Sequence, residues 1–496
     1  MVSVAVLLST ARLIVECFLS YQVAFCIFIP LVPWLQLAGL FYMLKFAERV
    51  IVKMVIGEQH LSGLDSAWLP CDRKNLFYSN AVFCFEHKGS VEERVDLFRQ
   101  AIFERLPNAK KANGELLFFR TRCYFRPGLF QYFLREDRSF KIENHVLKWE
   151  GEVPRSKEEL EAIVSKLSTE PLPEKRSPWC FVCIPTNFGS NDMFLAFRMS
   201  HALADGISKM NFLTYTFPDE VVPQKKTQKF SATNRSLLMA KAMLIAPRYL
   251  LKLLSSSAER SIIHGPDLSG LKKFVWDETL ELQLIKNIKS ATGTTVNDVL
   301  MACMTMALRK YFQRKGVANP ADLTASIPVD VRPPTKELHY DNYFSFIFPK
   351  MAVATGDIME QLNETQAHMK EFKGSGTPLV TLGMFFTTQE TCPRFLTNYL
   401  TNLLTKKSSC VFSNLPGPQQ KLSVKGSRMK YMTFFPPNNG NIGVSLAIFT
   451  YEGKVVVGVQ SDIAVLPDPE IVVEEFGNAV NEMAKRALPK KGALVR

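Results

Sequence analysis

His201, Asp205 and Gly206 stand in the run Phe-Arg-Met-Ser-His-Ala-Leu-Ala-Asp-Gly (197–206), directly after an alternating apolar stretch. An imidazole at a strand exit can take a proton from a hydroxyl near neutral pH, because its unperturbed pKa lies close to that pH. The aspartate four residues on, and the glycine after it, can fix the turn that aims the ring. Plainer uses stand beside these. Asp205 precedes a helical run from Ile207 to Tyr215 and has the chemistry of an N-cap, and His201 also suits a satisfied structural role. Asn297, beside Asp298 at another helix start, is a candidate to bind a developing oxyanion or orient substrate; after Thr294-Thr295 the same pair also suits ordinary capping.

The elements that must position these residues alternate in type. Asn75 to Phe85 predicts a strand, Val91 to Leu106 a helix, Leu117 to Leu134 one or two strands, and Glu158 to Leu167 a helix. Trp179 to Pro185 and Met193 to Met199 are strands, the second delivering His201 at its end. Further on, helices are expected over Glu278–Ser290, Thr295–Arg314 and Ile358–Phe372. Strands are expected over Leu323–Val329, Tyr343–Met351, around Val411, over Ile442–Tyr451 and from Lys454. The last hairpin and its final helix echo the surroundings of His201, with Ser461-Asp462 aligned on Ser200-His201. This suggests an internal duplication in which only the first copy keeps a histidine.

A chain of 496 residues exceeds what one core usually serves, so two α/β domains are expected. The boundaries fall at 1–56 for an N-terminal segment, 57–222 and 266–496 for the domains, and 223–265 for a crossover. The crossover carries eight Lys or Arg against one Glu among residues 223–260, interleaved with Leu and Met. It fits either an anionic membrane surface or a connector packed by its apolar side.

From Cys17 to Leu44 no residue is charged, and the run is long enough for the roughly 30 Å core of a bilayer. It reads as a membrane segment rather than a cleaved signal peptide, since nothing before Arg12 is basic. Pro30 and Pro33 leave two forms open, one kinked spanning helix or a re-entrant hairpin; a hairpin buried in the protein is a third. Lys45, Arg49 and Lys53 place the downstream domains on the cytosolic side.

A net charge of +13 calls for an anionic partner. No nucleic-acid module accompanies it, so membrane or a phosphate-bearing cosubstrate is the better assignment. The 47% hydrophobic content and 37 phenylalanines point the same way, towards apolar ligands. The ten cysteines are scattered, and Cys180-x-x-Cys183 lies in a strand-like run without a second pair, which predicts reduced thiols and no metal site.

Six segments then occur in order: Gly63-Leu64-Asp65-Ser66-Ala67-Trp68; Pro171-Leu172 with Pro178-Trp179; His201 to Gly206; Asn297-Asp298-Val299-Leu300; Ile327 to Arg332; and Ser413-Asn414-Leu415-Pro416-Gly417-Pro418. Together they resemble the wax ester synthase/diacylglycerol acyltransferase family, within the CoA-dependent, condensation-type acyltransferases. The resemblance implies two chloramphenicol-acetyltransferase-like domains with a tunnel between them, joined by a long crossover. It implies transfer of a fatty acyl group from acyl-CoA, as cosubstrate and without a further cofactor, to a long-chain alcohol or diacylglycerol. His201 is then the base, Asp205 and Gly206 hold its turn, and Arg332 is a partner for Asp205. Such lipid chemistry beside an apolar anchor implies the endoplasmic reticulum. One departure is Ser200, where the family usually has a first histidine; it keeps a non-catalytic lipid-binding protein open, as it does an acyltransferase for an amine or sterol.

Overall fold

The computed structural model describes residues 4–69, 74–87, 89–220, 222, 232–333 and 338–488. The opening of the expected crossover, 223–231, lies outside them. Two sheets carry the body, and their central strands, such as Met193–Ser200 and Val444–Tyr451, are long, buried, largely apolar runs because both faces of each sheet are covered. In Met193–Ser200 every position is buried, and the rows alternate with the pleat. Leu195, Phe197 and Met199 join Phe98 and Ile102 of helix Val91–Arg105, and Phe212 of helix Gly206–Thr216. Phe194 and Ala196 point the other way, into a core shared with Phe274, Trp276 and Val456 of the second sheet. That shared core locks the two halves against each other.

The first sheet has six strands in the order Ser423–Val424, Ser427–Phe435, Tyr78–Phe85, Met193–Ser200, Trp179–Pro185, Val146–Lys148. Its first two members come from the C-terminal half. A strand of the expected 266–496 domain thus pairs within the expected 57–222 domain: Ser427–Phe435 pairs antiparallel with Tyr78–Phe85, from Phe435 opposite Asn80 to Met429 opposite Phe85. Unpaired edges of Tyr78–Phe85 would be costly, and this exchange closes one. The second sheet has seven strands, running Phe344–Ile347, Leu323–Asp330, Cys410–Pro416, Val444–Tyr451, Lys454–Asp462, Lys272–Glu281, with Lys350–Met351 paired beside the second. Helix Val296–Arg314 and helix Pro469–Ala487 cover its outer face.

Several sequence expectations change. Glu278 to Ser290 is not one helix; Lys272–Glu281 is a strand paired with Lys454–Asp462, and the helix begins at Leu282. The helical spacing of the apolar residues belongs only to its second part. The strand expected over Tyr343–Met351 breaks at Phe348-Pro349 into two short pieces. Helices Thr377–Thr391 and Arg394–Thr405 were not expected at all, nor was strand Ser427–Phe435.

At the N-terminus a single helix, Val4–Val55, runs through both prolines, so the re-entrant hairpin does not form. Its segment Thr10–Ile27 is long and apolar enough to cross a membrane by length and composition. The echo at the C-terminal end takes shape as a second hairpin, Val444–Tyr451 with Lys454–Asp462, followed by its helix. At its end stands a closed salt link instead of a base: Asp462 is buried and accepts from Ser269 N, Gly270 N and Lys272 Nζ at 3.0, 2.9 and 3.0 Å.

Candidate active site

His201 follows the last residue of its strand, and its backbone N–H donates to Phe77 O at 2.9 Å. Phe77 has φ +52°, a left-handed conformation that a bulky residue adopts only when its surroundings hold it. They do so through Trp68, whose ring stands 6.0 Å from Phe77 and 4.2 Å from the imidazole. Phe344 closes on the imidazole from the second half, at 5.6 Å. The histidine is thus wedged between aromatic faces, only 7% exposed.

The turn is fixed by charge. Asp205 is the N-cap of helix Gly206–Thr216: its Oδ1 accepts from Ser208 N at 3.0 Å. Its Oδ2 accepts from Tyr343 N at 2.9 Å and from Arg332 Nη2 at 2.5 Å. Arg332 also donates to Ser208 Oγ and to Asp341, so one guanidinium ties the turn to the loop leaving the second sheet. Asn342 completes the clamp. Its Nδ2 donates to His201 O at 2.8 Å and to Asp65 Oδ1 at 2.9 Å, and Asp65 is fully buried against Arg120 at 2.9 Å. Asp205 is committed to these donors and does not orient the ring in the manner of a serine-protease triad.

Burial first, then the ammonium of Lys209, hold the His201 pKa well below the ordinary 6.5, so the imidazole is neutral at physiological pH. Lys209 is itself buried, donates to Ser79 Oγ at 2.6 Å, and is pushed down to about 7 by desolvation. Removing its charge by Lys209→Met lets the imidazole bind a proton more readily. If His201 is the base, the acid limb of kcat/KM is expected below pH 6.5 in the parent and at higher pH in Lys209→Met; a full pH–rate profile measures it, and an unmoved limb excludes this electrostatic influence.

In front of the imidazole lies a hollow with about 600 Å³ of non-atom space, part of it open to solvent. Trp68 and His201 of the first half form one wall. Phe344, Phe346 and Phe385 form another, with Pro328, Leu404, Val411 and Ile442 beyond. Its polar lining comes from Ser326, Thr401, Thr405, Ser408 and Asn439, and no charged side chain among the described residues lines it.

One sequence candidate lands elsewhere. Asn297 is exposed in the first turn of helix Val296–Arg314, whose capping box belongs to Thr295 and Asp298. Its Oδ1 accepts from Asn414 Nδ2 at 2.7 Å, and neither amide lines the hollow at His201. Gly206 needs no special backbone conformation, and an added Cβ would meet nothing within 4 Å, so close packing against protein does not explain it. Gly206→Ala is expected to change stability by less than about 0.5 kcal/mol in a denaturant titration; a loss beyond about 2 kcal/mol would show a constraint missed in the turn. Cys180 and Cys183, three apart on a strand, face opposite sides, and burial raises both thiols, Cys183 to about 12.

Trp68, Asn342 and Lys209 were not singled out from the sequence. Trp68 at least closed a quoted motif, and Asn342 follows Asp341 in a polar break between strands. A lysine inside the apolar helical run Ile207 to Tyr215 was the one visible sign of a buried cation.

Solved structures place this architecture. The wax ester synthase/diacylglycerol acyltransferase of Marinobacter aquaeolei VT8 superposes with a TM-score of 0.63 over 86% of this chain and 99% of its own, at 20% identity. TRI3 trichothecene 15-O-acetyltransferase from Fusarium sporotrichioides gives 0.60 over 87% and 95%, at 11% identity. The first condensation domain of the calcium-dependent antibiotic synthetase shares the fold, at a TM-score of 0.54 over 87% of this chain and 96% of its own, at 11% identity. The fold is thus α/β and is the one these acyltransferase and condensation-domain structures share.

Within it the family follows from sequence. The wax ester synthase/diacylglycerol acyltransferase catalytic domain matches residues 61–260, and the WS/DGAT C-terminal domain matches residues 340–484. Wax ester synthase/diacylglycerol acyltransferase 2 of Arabidopsis thaliana is 23% identical over 397 residues, 71% of this chain and 81% of the relative. The chain belongs to the wax ester synthase/diacylglycerol acyltransferase family and is an acyltransferase.

Proposed function

We propose that the protein transfers a fatty acyl group from acyl-CoA to a long-chain alcohol, to diacylglycerol, or to both, at the cytosolic face of the endoplasmic reticulum membrane. The observation that carries this reading is a neutral imidazole in the wall of a largely apolar hollow without charged lining among the described residues. His201 accepts the hydroxyl proton as the alcohol oxygen bonds to the thioester carbonyl carbon. The tetrahedral intermediate collapses, the C–S bond breaks, and the same proton passes to the departing CoA sulfur. No bond to the enzyme is needed, and no cofactor besides the acyl-CoA cosubstrate enters the reaction.

Asp205 and Arg332 act as positioning residues through the turn, and Gly206 begins the helix that Asp205 caps. Asn297 contributes by holding Asn414, whose strand also carries Val411 of the hollow. The two halves meeting at His201 supply the tunnel, and the apolar part of helix Val4–Val55 supplies the membrane anchor. Microsomes containing the protein, given labelled palmitoyl-CoA with hexadecanol or diacylglycerol, are expected to form wax ester or triacylglycerol. Tight palmitoyl-CoA binding with no product from any alcohol, sterol or amine would favour the non-catalytic reading that Ser200 keeps open.

A further inference from the structure

We propose that helix Val4–Val55 lies in the plane of one membrane leaflet, so that its N-terminal end and the catalytic body stay on the same side of the bilayer. The inference rests on the membrane reading above and concerns how the chain sits there. Two separate contacts pin this helix to the same body. Near its start, Glu16 pairs with Arg248 of helix Ala232–Ser255 at 2.8 Å, and the Tyr21 hydroxyl donates to Met243 O of that helix. Nearer its end, Lys45 Nζ donates to Gln389 O at 2.7 Å, Arg49 pairs with Glu390, and Gln131 Nε2 donates to Lys45 O at 2.8 Å.

The pinning elements also hold each other. A Cβ on Gly376, at the start of helix Thr377–Thr391, would meet Ala242 N at 2.8 Å, so that helix packs backbone to backbone on Ala232–Ser255. Its far end carries the Gln389 and Glu390 that hold Lys45 and Arg49. A helix crossing the bilayer between Glu16 and Lys45 would have to take both partner helices across with it. Helix Ala232–Ser255 carries Arg235, Lys241, Arg248 and Lys252, which belong at a headgroup surface and not at hydrocarbon depth.

Between the two contacts the described residues of the helix touch little. Residues 25–27 and 32–37 are all exposed, and no charge occurs from Cys17 to Leu44. A stretch this apolar around its circumference, broken by Gln36 alone among residues 25–27 and 32–37, asks for lipid around it, and held at both ends by one body it meets that lipid lying flat. Trp34 and Phe25 are 66% and 67% exposed there. In helix Ala232–Ser255, exposed Leu237 and Met243 stand among the lysines and arginines, which suits an anionic leaflet.

The test uses the full chain with an epitope tag at each end, in sealed microsomes whose cytosolic face is outward, and a Glu16→Cys/Arg248→Cys variant for the first contact. The expected result is retention after carbonate washing, loss of both tags to added protease at similar rates without detergent, and a reducible mobility shift absent from either single variant. An N-terminal tag protected until detergent is added overturns the in-plane arrangement while leaving membrane anchoring intact. Release of the protein by carbonate overturns the anchoring reading, and this inference with it. A second variant, Trp34→Glu/Leu35→Glu, keeps both pinning contacts and is expected to lower the carbonate-resistant fraction at least several-fold; unchanged retention counts against lipid around that stretch.

Discussion

Replacing His201 by alanine is expected to lower kcat by about 100- to 10,000-fold, with the KM for acyl-CoA changed much less. In the proposed mechanism the imidazole meets the acceptor hydroxyl only as its proton leaves, so the loss is expected on the transition state and not on the thioester already bound. A histidine that merely filled the core between Trp68 and Phe344 would behave differently. Its removal would lower stability and leave the rate per folded molecule near the parent's. His201→Gln, closer in volume and unable to act as a base near neutral pH, separates these cases. It is expected to fold as the parent does and to lose the same turnover. The acid limb that reports the imidazole should vanish in both variants. Either variant retaining more than about a tenth of parental turnover would remove His201 from the role of base.

Much of this centre was legible because local rules and function coincide there. The strand Trp179–Pro185 and the helix Ile358–Phe372 have the bounds their patterns indicate, since each is a run of one periodicity. Asp205 reads as an N-cap from sequence and is one; its second oxygen, facing Arg332, makes the same residue a clamp. What stayed hidden depends on long-range pairing. Strand Ser427–Phe435 mixes Ser427, Arg428, Lys430 and Thr433 irregularly with apolar residues and finds its partner, Tyr78–Phe85, in the opposite half of the chain, a register that no local pattern states. Helices Thr377–Thr391 and Arg394–Thr405 escaped notice because their threonines and aromatics carry little helical propensity. The surroundings of Asn297 stayed hidden for a related reason: the Asn-Asp pair was visible, whereas Asn414, which holds its amide, is a neighbour only in the fold.

Arg332→Ala is expected to destabilise the protein by about 3–5 kcal/mol, because it strands the buried Asp205 carboxylate without its cation. Arg332 and Asp205 side chains are 11% and 5% exposed, so water cannot replace the guanidinium cheaply. The damage should also reach turnover. The guanidinium joins the turn after His201 to Asp341, and Asn342, next in the chain, holds the carbonyl of His201 itself. Slackening that tie moves the imidazole relative to the hollow, and sub-ångström errors in a base's placement are costly. A charge-balanced companion distinguishes the clamp from bulk packing: Asp205→Asn with Arg332→Met removes both charges together and should recover much of the stability lost by Arg332→Ala alone. Denaturant midpoints of the detergent-solubilised chain and kcat per folded molecule measure the two effects. If Arg332→Ala were as stable as the parent, or the double substitution no better than the single, the ion pair would not be what holds the turn. Recovery of stability without recovery of kcat would instead mark placement of His201 as the clamp's main consequence, since a methionine side chain can fill the space but cannot grip Asp341 and Ser208 as the fork of Arg332 does.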